Sequence, residues 1–219
     1  VTVVKICGVT TPDDALAAAR AGADLIGLNF YPPSPRYLTP ERAAQIAGGL
    51  RDALGAACPL LGGVFVDEAP EHVQAIRETV GLDFVQLSGD EPVGDLIALG
   101  GCAVKALRPR TQDEALELAA LYRPHAPQSD ALPALLVDAY HPDLYGGTGE
   151  QASVEVAAAV RAVTPRLMLA GGLTPENVAE RIRMIQPWGV DVASGVEGSI
   201  KGRKDADRMW AFVEAVRGV

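Results

Sequence analysis

Basic residues are scarce in this chain: 19 lysines and arginines stand against 28 aspartates and glutamates, a formal charge of −9. Nucleic acid and anionic lipid reward clustered Lys and Arg, so neither is an expected partner, and an anionic ligand must be held by local features. Cysteine is sparse too. Three cysteines, an odd number without metal-ligand spacing, suggest neither a disulfide framework nor a zinc site. No apolar run reaches the length of a membrane span, and the amino terminus lacks the basic-then-apolar layout of a signal peptide, so the expected location is cytoplasmic, with no membrane partner. The three histidines offer little: His72 and His125 fall on or beside helices, and His141 has no partner at catalytic spacing.

What is present is a regular alternation. Apolar, often β-branched runs recur at 3–7, 24–30, 60–66, 83–87, 102–107, 134–138, 166–170 and 189–193, each followed by a segment of helical period. Eight strand–helix pairs predict a parallel sheet closed into a single (β/α)₈ barrel domain over residues 1–219. An open doubly wound sheet shares the alternation, but the first strand is not followed by a Gly-x-Gly-x-x-Gly fingerprint. Helices are expected over Pro12 to Ala21, Pro40 to Leu54, Pro70 to Val80, around Asp95 to Leu99, and over Thr111 to Tyr122, Val154 to Val163, Pro175 to Ile185 and Lys204 to Val216. Several open on Thr-Pro or Ala-Pro, where the first turn has no backbone N–H bond to lose. The Pro-rich stretch from Tyr122 to Pro133 leads into the sixth strand at the face opposite the mouth, where a structural role is expected.

Barrel enzymes carry reactive groups at the carboxyl ends of their strands. The first strand ends in Cys7, and alternation turns Val3, Lys5 and Cys7 inward while Val4 and Ile6 face the helices. Lys5 then needs a buried counter-ion, for which Asp191 on the neighbouring eighth strand is the candidate. A cation beneath Cys7 is expected to favour its thiolate. Taken alone, Cys7 reads equally as a small core residue, and Cys58 and Cys102, at strand beginnings, read as core. The sixth strand ends in Asp138, which can form a proton-transfer pair with Cys7 across one substrate or serve as a cap or loop ion pair. The loop after it carries Gly146-Gly147-Thr148-Gly149.

Two glycine-containing loops form the strongest local signal. They are Ala170-Gly171-Gly172-Leu173-Thr174-Pro175-Glu176-Asn177 after the seventh strand and Ala193-Ser194-Gly195-Val196-Glu197-Gly198 after the eighth. Barrels hold phosphate there with unpaired backbone amides, although such glycines also serve plain turns. The loop after the second strand, Tyr31 to Tyr37, is stiffened by three prolines and can present Arg36 to a carboxylate.

In order and spacing, Lys5-Ile6-Cys7-Gly8, Ser34-Pro35-Arg36, Gln86-Leu87-Ser88-Gly89, Gly146-Gly147-Thr148-Gly149 and the two glycine loops, with Gly189-Val190-Asp191-Val192 leading into the second, resemble the phosphoribosylanthranilate isomerases of tryptophan biosynthesis. The resemblance spans nearly the whole chain. It implies a cofactor-free Amadori rearrangement of N-(5-phosphoribosyl)anthranilate to 1-(2-carboxyphenylamino)-1-deoxyribulose 5-phosphate, by a monomer or homodimer acting on a small phosphorylated molecule. It also implies Cys7 as general base, Asp138 as general acid and Arg36 as ligand of the anthranilate carboxylate. Gly147, Gly171, Gly172, Asp191, Ser194 and Gly195 are the further substrate-binding candidates.

Three positions depart from the family pattern. Ser88 stands where a histidine is usual, Asp67 where asparagine is common, and Glu150-Gln151-Ala152-Ser153 where the chain usually runs toward an aromatic residue. A related histidine-pathway isomerase carries an aspartate on the first strand in the place of Cys7. Two other readings are a Schiff-base lyase or aldolase using Lys5 or Lys105 on a sugar phosphate, and a phosphate-binding barrel without catalysis, hinted at by Ser88.

Overall fold

A computed structural model of the chain describes residues 1–138 and 153–219. Eight parallel strands, β1 (Val3–Cys7), β2 (Leu25–Asn29), β3 (Leu60–Phe65), β4 (Phe84–Leu87), β5 (Ala103–Leu107), β6 (Leu135–Val137), β7 (Leu167–Leu169) and β8 (Gly189–Val192), pair in chain order and close β8 onto β1. The fold is the (β/α)₈ barrel that the alternation predicts. The helices that cover it are α1 (Pro12–Ala21), α2 (Pro40–Leu54), α3 (Pro70–Val80), α4 (Val93–Ala98), α5 (Gln112–Tyr122), α6 (Val154–Val163), α7 (Val178–Ile185) and α8 (Ala206–Arg217). Among the described residues, no helix is long and apolar enough to cross a membrane.

Capping explains the helix starts. Thr11, Thr39 and Thr111 each accept the amide of the residue three positions on, Asp14, Arg42 and Glu114, and so satisfy one first-turn donor. Two starts fall two or more residues later than the sequence expectation. Helix α7 begins at Val178 rather than Pro175, because Asn177 folds the preceding residues into a turn: its Oδ1 accepts the Thr174 amide at 2.8 Å and its Nδ2 donates to the Gly172 carbonyl at 2.9 Å. Helix α8 begins at Ala206 rather than Lys204, because Asp205 caps it through the Arg208 amide. This leaves Lys204 outside the helix, with its side chain turned inward.

Alternation along the strands builds two cores. The outward residues, among them Val4, Ile6, Val85, Val190 and Val192, pack under the helices. The inward set of Leu25, Phe84, Val104, Ala106, Leu136, Met168 and Ala170 fills the barrel with Leu132. Leu132 comes from the Pro-rich stretch, which Arg166 holds through the carbonyls of Pro127, Ser129 and Leu132. The structural role expected of that stretch is therefore concrete: it supplies an apolar side chain to the barrel interior. Cys58 and Cys102 are partly buried and pack against the outer core.

Candidate active site

The strand ends surround one cavity of about 770 Å³, open rim included, lined by Cys7, Arg36, Asp138, Gly171, Gly172, Asp191 and Ser194. Seven of the nine residues singled out from sequence thus meet at one mouth. Gly195 lies directly behind Ser194, in the short 3₁₀ turn Ser194–Val196. Gly147 and the rest of its loop lie outside the described residues.

Cys7 is buried against β2 at a point where only glycine fits: a Cβ on Gly27 would stand 2.7 Å from its Sγ. Beneath it, Lys5 Nζ donates to Asp191 Oδ2 at 2.8 Å and to Gln86 Oε1 at 2.9 Å. Gln86 Nε2 in turn donates to Ser88 Oγ at 3.0 Å. A polar chain therefore crosses the barrel from β8 to β4 and ends in a hydroxyl on the cavity wall. Asp191 Oδ1 is buried and takes no hydrogen bond from the described residues.

The ion pair expected between Lys5 and Asp191 is present, but its predicted effect on Cys7 is not the dominant one. Burial pushes the thiol pKa up, the charge of Asp191 adds to this, and the pull of Lys5 and Lys204 in the other direction is smaller. The thiol is therefore harder to ionise than an ordinary cysteine. For Lys5, burial opposes the ammonium, yet Asp191 and Cys7 hold its pKa above the ordinary lysine value.

Arg36 reaches the mouth with its stem against Gly8, whose positive φ of 70° and missing Cβ leave the path clear. One edge of its guanidinium is already engaged. Nε donates to Glu197 Oε1 at 2.6 Å and Nη2 to Glu197 Oε2 at 3.1 Å, while Lys204 Nζ donates to Glu197 Oε1 at 3.2 Å and to the Ala193 carbonyl at 2.9 Å. The presented fork expected from sequence is thus a fork with one free edge, because Nη1 has no acceptor among the described residues. Burial drives the Glu197 pKa up, but the Arg36 hydrogen bond and the neighbouring cations bring it below the usual carboxylate range. Burial is also the main reason that the Lys204 pKa lies below that of an ordinary lysine.

Gly171 and Gly172 hold φ of 88° and 61°, a region that favours glycine. Among the described residues the amides of Gly172, Ser194 and Gly195 have no protein acceptor, which leaves three backbone donors unused in the two loops after β7 and β8. Arg208 fixes this set by donating twice to the Gly195 carbonyl, at 3.1 and 2.9 Å. The two loops touch so closely that a Cβ on Gly195 would overlap the Leu173 carbonyl. Gly195→Ala must separate them. Steady-state kinetics on a phosphorylated substrate should show KM raised about tenfold or more, since displacements of the order of an ångström can cost about a hundredfold. An unchanged KM would mean that this loop takes no part in binding the substrate.

Lys105 does not face the cavity. Its neighbours Val104 and Ala106 point inward, and its own amine is enclosed on the helix side by Glu91 at 2.8 Å, the Gly89 carbonyl at 2.7 Å and the ring of Tyr122. This removes it as a Schiff-base residue at the mouth. Glu91 uses its other oxygen on the amides of Asp67 and Gly89, both at 3.0 Å, so the network shapes the loop beside Ser88. Asp67 sits at φ of 50°, a region that Asp and Asn both enter more readily than most residues, so the backbone here accepts aspartate where asparagine is common. Sequence reasoning assigned no role to Glu197, Lys204 or Arg108, which also lines the cavity. A charged residue beside a glycine loop was the available signal for Glu197; the inward turn of Lys204 depends on the Asp205 cap.

A protein-family model described as N-(5'phosphoribosyl)anthranilate (PRA) isomerase matches residues 4–215. The chain belongs to the phosphoribosylanthranilate isomerase family. It is 49% identical to the N-(5'-phosphoribosyl)anthranilate isomerase of Roseiflexus castenholzii, with 98% of each chain covered. It is 44% identical to that of Trichlorobacter lovleyi, covering 96% of this chain and 95% of the relative. A solved phosphoribosylanthranilate isomerase in complex with reduced 1-(o-carboxyphenylamino)-1-deoxyribulose 5-phosphate superposes with a TM-score of 0.83 at 32% identity, with both chains fully covered. A structure of monomers generated from the dimeric isomerase of Thermotoga maritima matches equally well, with a TM-score of 0.83 and 32% identity over both full chains.

Proposed function

We propose that this member of the family catalyses the Amadori rearrangement of N-(5-phosphoribosyl)anthranilate, the isomerisation step of tryptophan biosynthesis, with Asp138 as general acid and Cys7 as general base. The observation that carries this reading is the convergence of Cys7, Asp138, Arg36 and the two glycine loops on one cavity. Each group answers one demand of the substrate. The amides of Gly172, Ser194 and Gly195 take the phosphate, and the free edge of Arg36 takes the carboxylate. Asp191 Oδ1, buried without a donor, takes a sugar hydroxyl.

The furanose is held at both ends between these anchors, and the reaction proceeds in the middle. Protonated Asp138 gives its proton to the ring oxygen as the C1–O bond breaks, and the nitrogen lone pair forms the C1=N bond of an iminium. That cation acidifies the hydrogen on C2. The Cys7 thiolate removes it, the electron pair of the C–H bond becomes the C1=C2 double bond, and the C=N electrons return to nitrogen. The resulting enolamine gains a proton at C1 and loses the one on its C2 hydroxyl to become the ketone. No electrons leave or enter, so no redox partner is required. Binding at the remote phosphate and carboxylate supplies positioning energy for both proton transfers.

The decisive experiment mixes purified protein with freshly generated phosphoribosylanthranilate and follows its fluorescence. Loss of the signal at a rate proportional to enzyme concentration is expected. Persistence of the signal on the timescale of the substrate's own decay would exclude the activity. Ser88 keeps a hydroxyl on the cavity wall, held by Gln86, so turnover is expected without a histidine at that position.

A further inference from the structure

Arg36, Glu197 and Lys204 form a buried group outside the proton-transfer pair: Arg36 is 5% exposed, and the side chains of Glu197 and Lys204 are 6% and 0% exposed. Glu197 grips the Nε edge of Arg36 with both oxygens and shares one of them with Lys204, which is itself anchored to the Ala193 carbonyl. The stem of Arg36 is confined as well. It passes over Gly8, and the Pro35 carbonyl before it leaves no room for a Cβ on Gly202, which would approach to 2.8 Å. Two cations and one anion thus occupy a water-poor site, while the neighbouring Lys5 is balanced by Asp191. Uncompensated buried charge is costly because it is taken out of water, and the cost is relieved when one more anion arrives.

We infer that Glu197 and Lys204 are positioning residues for substrate selection: they fix the plane of the Arg36 guanidinium and leave the site one positive charge in excess, which the aromatic carboxylate of the substrate neutralises. This rests on the reading of Arg36 as the carboxylate ligand. Glu197 orients by occupying the edge that the substrate must not take, and Lys204 keeps Glu197 from swinging with the arriving carboxylate. An N-aryl sugar phosphate without the carboxylate leaves the excess charge unanswered and is discriminated against.

The test measures inhibition by two reduced product analogues, 1-(2-carboxyphenylamino)-1-deoxyribitol 5-phosphate and its counterpart lacking the carboxylate. The ratio of their inhibition constants reports carboxylate recognition alone. Lys204→Met removes the excess charge at similar volume. Glu197→Asp keeps the charge, but its shorter stem cannot span Nε and Nη2 together. Each should reduce the ratio about tenfold, the scale of one charge-assisted hydrogen bond, while binding of the analogue without carboxylate stays within about twofold. Lys204→Arg should restore the ratio in part. A wild-type ratio in both variants, or equal weakening of both analogues, would overturn the proposal. Arg36→Met separates the two levels. If it abolishes the ratio while the other variants preserve it, the positioning role falls and the carboxylate site stands; if it preserves the ratio, the carboxylate site itself falls.

Discussion

Cys7→Ala should lower kcat by at least about a hundredfold, within the range of about 10² to 10⁴ that a positioned acid or base contributes, and leave the circular dichroism spectrum unchanged. The side chain is small, and its removal leaves the Lys5–Asp191 pair in place. Asp138→Asn should produce a loss of the same order for a different reason, since an amide cannot protonate the ring oxygen. The two groups act in succession on one substrate, so the double variant should lose less than the product of the single losses. The pH profile distinguishes a base from a packing residue. Wild type needs the acid protonated and the thiol ionised together, so its kcat/KM should be level between the two pKa values and fall above that of the thiol. In Asp138→Asn the acid no longer titrates, so the residual kcat/KM should rise with pH as the thiolate forms, and because burial holds the Cys7 pKa above that of an ordinary thiol the rise should continue through the alkaline range. Near-wild-type turnover in either single variant would sink the assigned mechanism, and a residual profile in Asp138→Asn that is flat through the alkaline range would remove the thiolate from it.

The barrel was legible because its determinants are local. Eight apolar runs, often β-branched, and Thr-Pro starts specify strands and first turns within a few residues, and parallel strands linked by helices have few ways to close. The same period-2 logic placed Lys5 and Cys7 inside and offered the inward-facing Asp191 of the neighbouring strand as a counter-ion; the β1–β8 ladder pairs Lys5 with Asp191. Inward placement at a strand's carboxyl end also brought Cys7 and Asp138 to one cavity.

Properties that depend on the sum of long-range contacts were less legible. The charge state of Cys7 depends on burial against two cations and an aspartate, and sequence reasoning weighed only the nearest cation. Arg36 and Glu197 are 161 positions apart, so their pairing depends on how two loops meet at the barrel rim. Lys204 was read as part of a helix because its surroundings are polar and periodic; the Asp205 cap excludes it and turns its amine toward Glu197. Lys105 shows the converse. Its place on a barrel strand suggested a reactive amine, while alternation alone, applied to Val104 and Ala106, assigns it to the outer face.

Lys5 carries the largest expected effect on stability. Its side chain is 1% exposed and donates to Asp191 and Gln86, so Lys5→Met leaves a carboxylate buried with one oxygen already lacking a donor. Breaking a buried pair in this way costs about 3–5 kcal/mol, which urea denaturation should show as a lower midpoint with unchanged slope. Replacing both charges tests whether the cost lies in the orphaned partner. Lys5→Met with Asp191→Leu should recover most of the midpoint, because a buried pair exchanged for apolar groups is often neutral or stabilising. Activity should not recover with it. Lys5 is the strongest influence lowering the Cys7 pKa, and without it the thiolate forms at still higher pH. The pH dependence of stability has a defined direction. The folded-state pKa of Lys5 is raised, so its contribution is complete below the ordinary lysine value of 10.5 and is lost as pH climbs through the folded value. Wild type and Lys5→Met should therefore differ by a constant amount near neutrality and converge only in strong alkali. An unchanged midpoint in Lys5→Met would mean that the barrel does not depend on this pair, and the pull of Lys5 on the Cys7 thiol would then be its whole contribution.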